Sequence, residues 1–396
     1  MMLAASLGLL LLLAQASPDP PVGDEPERDT APRYGISADF DWSFSNAEKS
    51  PLNLTYYDEN IMKLLRVSLL FNFRASDRVG LYVNITSENL DAPHLYGAFV
   101  RLAPLTDNKL WIQAGKIPQP FGAFPERWYP FANPLIGDPF MYSYVTSLRP
   151  DNIPAGPDDL LSQRGNGRSP QFRGGGNASR SSGVPMIEIF KWAAGGVGFG
   201  SVGPFEWLAG ATSGTLSHPG GVDEGDGAQV IGRARYKPSP VFNAGVSAAS
   251  GRWLDNVVEG GLGDQRLSSF KQTGVGGDFN YARGHLIVYG EAAWSRWDVP
   301  NIEESVDALS AFLETRYRLI PGLYVAGRLD RLTFSDITSR SGESEPWEFP
   351  VTRVEIGTGY SWERHVILKV VGQFNLYDEA SELDEKIIAF QVVVHF

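Results

Sequence analysis

The residues best suited to chemistry in this sequence are charged side chains that alternate with apolar ones. Glu314, Arg316 and Arg318, for example, are separated by single residues, and the positions between them include Tyr317. In an extended strand such residues share one face, and rings of arginine favour anions whereas rings of carboxylates favour cations. We expect a shared interior for the following residues: Arg66, Arg101, Arg233, Arg235, Glu291, Glu314, Arg316, Arg318, Arg328, Asp330, Arg353, Glu355 and Lys369.

The balance of these residues is basic, which predicts a mild preference for anions. An equally open interpretation is that they form cross-strand ion pairs, such as Glu314 with Arg328 or Arg316 with Asp330, which brace a wall without a net field.

A second set of candidates lies in the long segment 118–183, which is rich in proline and aromatic residues, as in Trp128–Phe131. It is too long for an ordinary connection and too aromatic for a disordered one. We expect it to fold inward and narrow a passage; the alternative is an external lid or a trimer contact. The charged residues predicted for this constriction are Lys116, Arg127, Asp138, Arg149, Arg164, Arg168 and Arg173.

Catalytic and metal chemistry find little support. None of the histidines, His94, His218, His285, His365 and His395, forms a recognisable set with a serine and a carboxylate, so no enzyme is predicted. Cysteine is absent, which excludes thiolate chemistry. Acidic clusters at 223–226 and 378–385 could hold Ca²⁺ or Mg²⁺, but solvated acidic loops are the simpler interpretation, and no cofactor is predicted. The net charge of −12 argues against nucleic acid as a partner.

The elements that must position these residues are β-strands. Short and long connections alternate along the chain, a rhythm typical of a transmembrane antiparallel β-barrel with about sixteen strands. Fourteen or eighteen strands remain possible if the glycine-rich segment 184–202 is not one strand. The predicted strands lie near 34–44, 61–74, 78–88, 94–104, 109–117, 184–202, 204–216, 227–237, 240–252, 270–282, 285–298, 306–319, 322–335, 349–362, 365–378 and 384–396. A soluble β-sandwich would show the same alternation with its faces reversed.

The two ends of the chain favour the barrel over the sandwich. Residues 1–16 have the short apolar run and small-x-small ending of a signal peptide, residues 17–33 are predicted to be a flexible periplasmic leader, and 34–396 the barrel. The final strand is amphipathic and stops on Phe396, which is typical of the strand that closes an outer-membrane barrel. Four tryptophans are candidates for the aromatic girdles at the membrane interfaces: Trp42, Trp207, Trp294 and Trp362.

The junction Gly115-Lys116-Ile117-Pro118-Gln119-Pro120-Phe121-Gly122 resembles the Gly-Lys-x-x-x-x-Phe-Gly element of phosphate-selective porin O/P-type and related Gram-negative porins. This resemblance implies a trimeric, substrate-guiding diffusion channel in which the third external loop folds inward. Phosphate-selective members use a ladder of arginines and a ring of lysines, and Lys116 matches the junction lysine.

Together these patterns predict a porin in the outer membrane that passively admits small hydrophilic solutes or anions. Its expected partners are outer-membrane lipid, lipopolysaccharide and two further copies of itself. A different class remains open, a structural barrel that sheathes a partner such as an electron-transfer protein, and it would need a wide, unplugged lumen. An adhesin or lipid-binding barrel is a third possibility and would have a closed lumen.

Overall fold

Sixteen strands form one closed antiparallel barrel in the computed structural model, which describes residues 33–46, 64–105, 110–167, 183–189, 191–221 and 227–396. The strands are β1 Arg33–Ser45, β2 Leu64–Ser76, β3 Val79–Glu88, β4 His94–Leu102, β5 Leu110–Ile117, β6 Ala193–Val202, β7 Phe205–Ser213, β8 Ala228–Ser239, β9 Phe242–Arg252, β10 Lys271–Arg283, β11 Leu286–Trp297, β12 Val306–Ile320, β13 Leu323–Phe334, β14 Asp336–Thr338, β15 Ser344–Pro346, β16 Val351–Glu363, β17 Val366–Tyr377 and β18 Glu385–His395. The described residues also form two short helices, α1 Phe140–Ser143 and α2 Pro157–Ser162, with 3₁₀ turns at Phe124–Arg127, Asn256–Gly261, Leu267–Ser269 and Ser381–Leu383.

The barrel closes between its first and last strands, as the amphipathic end of the sequence predicts. β1 pairs antiparallel with β18, in register from Asp39 with His395 to Ser45 with Ala389. The Phe396 amide then donates to the Ala38 carbonyl at 2.9 Å. Every barrel strand therefore has two neighbours, and no barrel edge is left unpaired.

Connections differ in length at the two ends of the barrel, which confirms the predicted rhythm. At one end the strands are joined by short turns, and Gly203 and Gly284 adopt the positive φ that such tight turns require. At the other end lie the long loops, the longest of which joins β5 to β6 and spans residues 118–192. It is called the β5–β6 loop below.

Side chains alternate across the wall. On the outward face, large apolar residues such as Leu81, Leu313 and Ile356 are exposed, and the outward parity also holds Trp42, Trp207, Trp294 and Trp362. Charged and polar residues such as Glu314, Arg353 and Gln391 face inward and are buried. This is the reverse of a soluble sandwich and the arrangement that a lipid-facing barrel needs.

The predicted strand 184–202 is wrong in its first half. β6 begins at Ala193, which pairs with Ile117, the last residue of β5. The described residues before it are buried without alternation. The Ile187 amide donates to the Met141 carbonyl in the same connection, and the Glu188 amide donates to the Leu216 carbonyl in the connection after β7. The predicted count of sixteen strands is nevertheless correct, because Gly195 and Gly196 lie inside β6 and do not divide it into two strands.

The sequence reading also missed a small hairpin. β14 and β15 pair only with each other in the loop between β13 and β16. In the part of the chain that is described, no helix is both long and apolar enough to cross a membrane. The predicted signal peptide, the leader up to residue 32, Arg168, Arg173 and the cluster 223–226 lie outside the described residues.

Candidate functional site

The β5–β6 loop enters the barrel through the Phe121-Gly122 pair. Phe121 is buried and packs on Gly276 of β10, whose missing side chain leaves room for the ring. Gly122 has φ +73° and lies so close to the wall that a Cβ there would be 1.9 Å from Glu291 Oε1. The backbone turns inward here because only glycine combines that φ with that approach.

Glu291 of β11 holds the loop directly after this turn. Its carboxylate accepts hydrogen bonds from the amides of Ala123 and Phe124, at 3.2 and 3.1 Å, and from the Tyr142 hydroxyl. The buried Tyr142 hydroxyl has its pKa raised well above the usual value, chiefly by desolvation and then by the Glu291 charge, so it acts as a donor.

An ion-pair network joins the loop to β12, β13 and β16. Arg127 of the loop pairs with Glu314, and its guanidinium lies 3.9 Å from the centre of the Tyr289 ring. Glu314 also pairs with Arg328 at 2.8 Å, as one predicted cross-strand pair requires, and Arg328 reaches Glu355 at 3.3 Å. These charges are buried, so their mutual pairing rather than solvent compensates their desolvation.

Lys369 of β17 is the clearest anchor. Its side chain is 2% exposed, and its ammonium donates to the loop carbonyls of Pro130, Asn133 and Leu135 and to Gln391 Oε1 of β18. Three loop carbonyls that would otherwise be buried without donors are satisfied by one cation.

The next turn of the loop is fixed by main-chain contacts. The Gly137 amide donates to Glu355 Oε1 at 3.0 Å, and its carbonyl accepts from Arg328 at 2.8 Å. Arg353 donates to the Asp138 carbonyl at 2.7 Å, and Asp330 accepts from the Phe140 amide at 2.6 Å. The Asp138 carboxyl is buried with Oδ2 unpartnered, and desolvation raises its pKa to about 7.

The far part of the loop is held by the loop between β13 and β16. Buried Glu348 accepts hydrogen bonds from the amides of Ser147 and Gly165. Burial raises the pKa of Glu348, against the opposing effect of these amides. Arg164 pairs with Glu345 of β15, so the hairpin that sequence reasoning missed is a docking surface for the loop.

These contacts leave a cavity of about 110 Å³ on the other side of the barrel, against β1–β4. It lies in the half nearer the short turns, since Ser37 and Arg101 are close to those strand ends. Its lining combines aromatic rings with a few polar groups: Ser37, Asn72, Tyr82, Asn84, Phe99, Arg101, Gln119, Glu126, Trp128, Tyr129 and Trp192.

The remaining predicted residues are divided among several places. Arg66 pairs with Glu88 at 2.8 Å and stacks on Trp128; Arg233 pairs with Asp278 at 2.7 Å; Arg235 pairs with Glu126 of the loop. Arg316 stacks on Tyr324, and Arg318 is exposed near the short turns. Arg149 pairs with Asp151 within the loop.

Two predictions at this site are wrong. Arg316 does not pair with Asp330, because Arg316 is in register with Ala326, four residues away along β13, or roughly 13 Å. Lys116 is not part of the loop: it lies in β5 on the parity of exposed Ile112 and Ala114, outside the barrel, where its ammonium donates to the Leu95 carbonyl.

Sequence reasoning also missed functional residues. Glu348 carries no sequence signal beyond lying in a loop. Gly122 was noted as a motif residue only, and its role needed the position of Glu291. Among the described residues, no group of three or more histidine or acidic side chains is placed to hold a metal ion.

Solved structures share this architecture at low sequence identity. The chain is similar to OmpT, an outer membrane protein of Vibrio cholerae in trimer form, with 9% identity, a TM-score of 0.56 and coverage of 92% of this chain and 100% of that one. It is similar to an anion-selective porin from Comamonas acidovorans (10%, 0.55, covering 92% and 99%) and to OmpF of Salmonella typhi in complex with daunomycin (11%, 0.54, covering 92% and 97%). No family model and no curated protein matches the sequence. At these identities the likeness establishes the fold, a sixteen-stranded porin-type barrel.

Proposed function

We propose that the protein is an outer-membrane diffusion channel for small hydrophilic solutes, in which the β5–β6 loop sets the size limit. The long loops would face outward and the short turns the periplasm, with residues 1–16 removed on export. The barrel would stand in lipid and lipopolysaccharide as a homotrimer.

The observation that carries this proposal is the attachment of the loop to the inner wall. Its backbone bonds to Glu291 of β11, Glu355 of β16 and Lys369 of β17. On the side of β3, the Tyr129 hydroxyl accepts a hydrogen bond from Asn84, and the cavity lies beside this contact, against β1–β4. A loop that is fixed to the wall and leaves this space beside it defines a narrow passage of fixed width.

A mild anion preference is the finer part of the proposal, and Arg101 supports it. Many of the other interior arginines are neutralised by wall or loop carboxylates, so counting arginines overstates the field. Arg101 faces the cavity and bonds to Gln113, a neutral partner.

The test is single-channel conductance of the refolded mature protein in a planar bilayer, with the reversal potential in a KCl gradient. Stable open steps in groups of three, with chloride more permeant than potassium, are expected. A cation-selective reversal potential would refute the anion preference while leaving the channel intact.

A closed barrel is the second candidate, and the burial of the interior favours it. At the level of the loop, inward residues such as Glu314, Arg328 and Lys369 are shielded from solvent. A folded barrel that never conducts would establish this alternative. The sheath for a protein partner loses support, because the described part of the β5–β6 loop occupies the lumen that such a partner would need.

A further inference from the structure

The cavity against β1–β4 contains a guanidinium without a counter-ion. Arg101 is 8% exposed, and among the described residues its side chain has no carboxylate partner. Its Nη2 donates to Gln113 Oε1 at 3.1 Å, and its Nε has no partner. A buried cation normally lies beside an anion, because transferring it from water is costly.

The surroundings of Arg101 strengthen the positive potential. Arg74, a second cation, acts electrostatically on Arg101. Arg74 and Arg101 flank Gly80 in adjacent register positions on β2, β3 and β4, and Gly80 places no side chain between them. Glu126 is the carboxylate in the lining, and it already forms an ion pair with Arg235.

The rest of the lining is aromatic. Tyr82 lies under the Arg101 guanidinium at 5.1 Å and stacks on Phe99 with ring centres 4.8 Å apart, while Trp128, Tyr129 and Trp192 complete the walls. Gln119 uses both of its amide donors on the Thr215 and Leu216 carbonyls, and Asn84 donates to the Tyr129 hydroxyl. The lining therefore combines one guanidinium and a few neutral polar groups with flat aromatic surfaces, which suits a singly charged aromatic anion better than multiply charged phosphate.

We propose that this cavity binds a small single-ring aromatic carboxylate, with its carboxylate on Arg101 and its ring among Tyr82, Phe99 and Trp128. The volume of about 110 Å³ limits the enclosed part of the ligand to a single ring, since it is smaller than the roughly 150 Å³ apolar cavity that holds benzene. The inference rests on the proposed function, because it names the class of solute that the passage favours.

The test is binding of benzoate to the folded full-length barrel in detergent at pH 7, by calorimetry and by the fluorescence of the cavity tryptophans. Benzoate is expected to bind at least tenfold more tightly than benzamide, its neutral counterpart, and than inorganic phosphate. Arg101→Gln should lower the affinity for benzoate to that for benzamide. Arg283→Gln, the same change at an exposed turn, should leave it unaltered.

Equal binding of benzoate and benzamide, tighter binding of phosphate, or unchanged benzoate affinity in Arg101→Gln would overturn the inference. If Arg101→Gln fails to fold, Ser37→Leu provides the second variant: it fills the cavity from β1 and should abolish benzoate binding, and retained binding would count against the site. Bilayer conductance separates the two proposals. A barrel that conducts without binding benzoate refutes only the site, and one that binds benzoate but never conducts refutes only the channel.

Discussion

At the scale of single residues, the interior charges serve mainly as fasteners. Lys369 was predicted as one of many lumen cations, yet its ammonium is spent on three loop carbonyls and Gln391. Arg328 and Arg353 likewise donate to the loop backbone at Gly137 and Asp138. A cation that is hydrogen-bonded in this way contributes little to the electric field that acts on a passing ion. Removing such a side chain should therefore first loosen the loop.

Lys369→Met therefore should release the middle of the loop. The variant leaves the Pro130, Asn133 and Leu135 carbonyls without their donor, at a cost of about 3 kcal/mol to loop attachment. Faster proteolysis within the loop and a larger, noisier conductance are expected. Lys271→Met, at an exposed strand end, is the matched control and should behave as wild type.

Gly122→Ala tests the turn that brings the loop inward. The added Cβ would meet Glu291 Oε1 at 1.9 Å and the Tyr142 hydroxyl at 2.2 Å, in addition to the strain of a positive φ. Gly284→Ala has a similar φ of +61° but open space around it, so it isolates the backbone term of about 1 kcal/mol. We expect faster proteolysis of the loop in Gly122→Ala but not in Gly284→Ala. Equal rates of proteolysis in the two variants would contradict the proposed close approach of Gly122 to Glu291.

At the scale of elements, the β5–β6 loop behaves as a folded insert with its own buried residues. Leu135, Met141 and Ile187 are all shielded, and the amides of residues 146, 183 and 184 bond within the loop. The attachment of the loop to the wall depends on carboxyl groups that are buried and desolvated in the folded barrel. Asp138 is the one in the loop itself, so the loop should respond to pH.

Desolvation raises the pKa of Asp138 from 3.8 to about 7, while Arg328, Arg66 and Arg353 oppose the rise and Glu355 adds to it. Between these values the seated loop holds a proton that the unfolded chain has released. The contribution of Asp138 to the stability of the seated loop is therefore complete below about pH 4, and it is lost as the pH rises through 7.

Proteolysis of the loop should consequently accelerate between pH 5 and pH 8. Asp138→Asn should reduce this dependence without abolishing it, because Glu348, which also holds the loop, is a second buried carboxyl with a raised pKa. Asp264→Asn, in an exposed loop, should keep the full dependence. A pH profile that is the same in wild type and Asp138→Asn would show that other groups control the loop.

At the scale of the whole molecule, the outward apolar band predicts that the barrel stands in lipid. Leu329, 56% exposed, lies near the middle of β13, whereas Ile320, 57% exposed, lies at the end of β12. Substitution by arginine should reduce the free energy of unfolding from the membrane by about 2–4 kcal/mol at Leu329 and by about 0–1 kcal/mol at Ile320. Denaturant refolding into lipid vesicles measures both, and equal costs would contradict a membrane position centred on Leu329.

The fold was predictable because its signals are local. Alternation along single strands predicted the inward face of Glu314, Arg353 and Lys369, and connection lengths predicted the count. Contacts between distant segments were not predictable. Buried residues 183–189 follow no period because they bond to distant segments, such as Met141 of the same loop and Leu216 after β7. Nothing near Arg101 in the sequence indicates that this residue lacks a carboxylate partner. The outward position of Lys116 likewise depends on the register of β5, which a motif does not specify.

The attachment of the loop to the wall has a consequence for inheritance. Loop residues Arg127 and Gly137 are matched to strand residues Glu314, Arg328 and Glu355, which lie far away in the sequence. A change on either side leaves a buried charge unpaired on the other, so loop and wall are expected to vary together among relatives. Recombination that exchanges the loop alone between two such barrels should yield poorly seated chimaeras, whereas exchange of the loop together with the strands that it contacts should be tolerated.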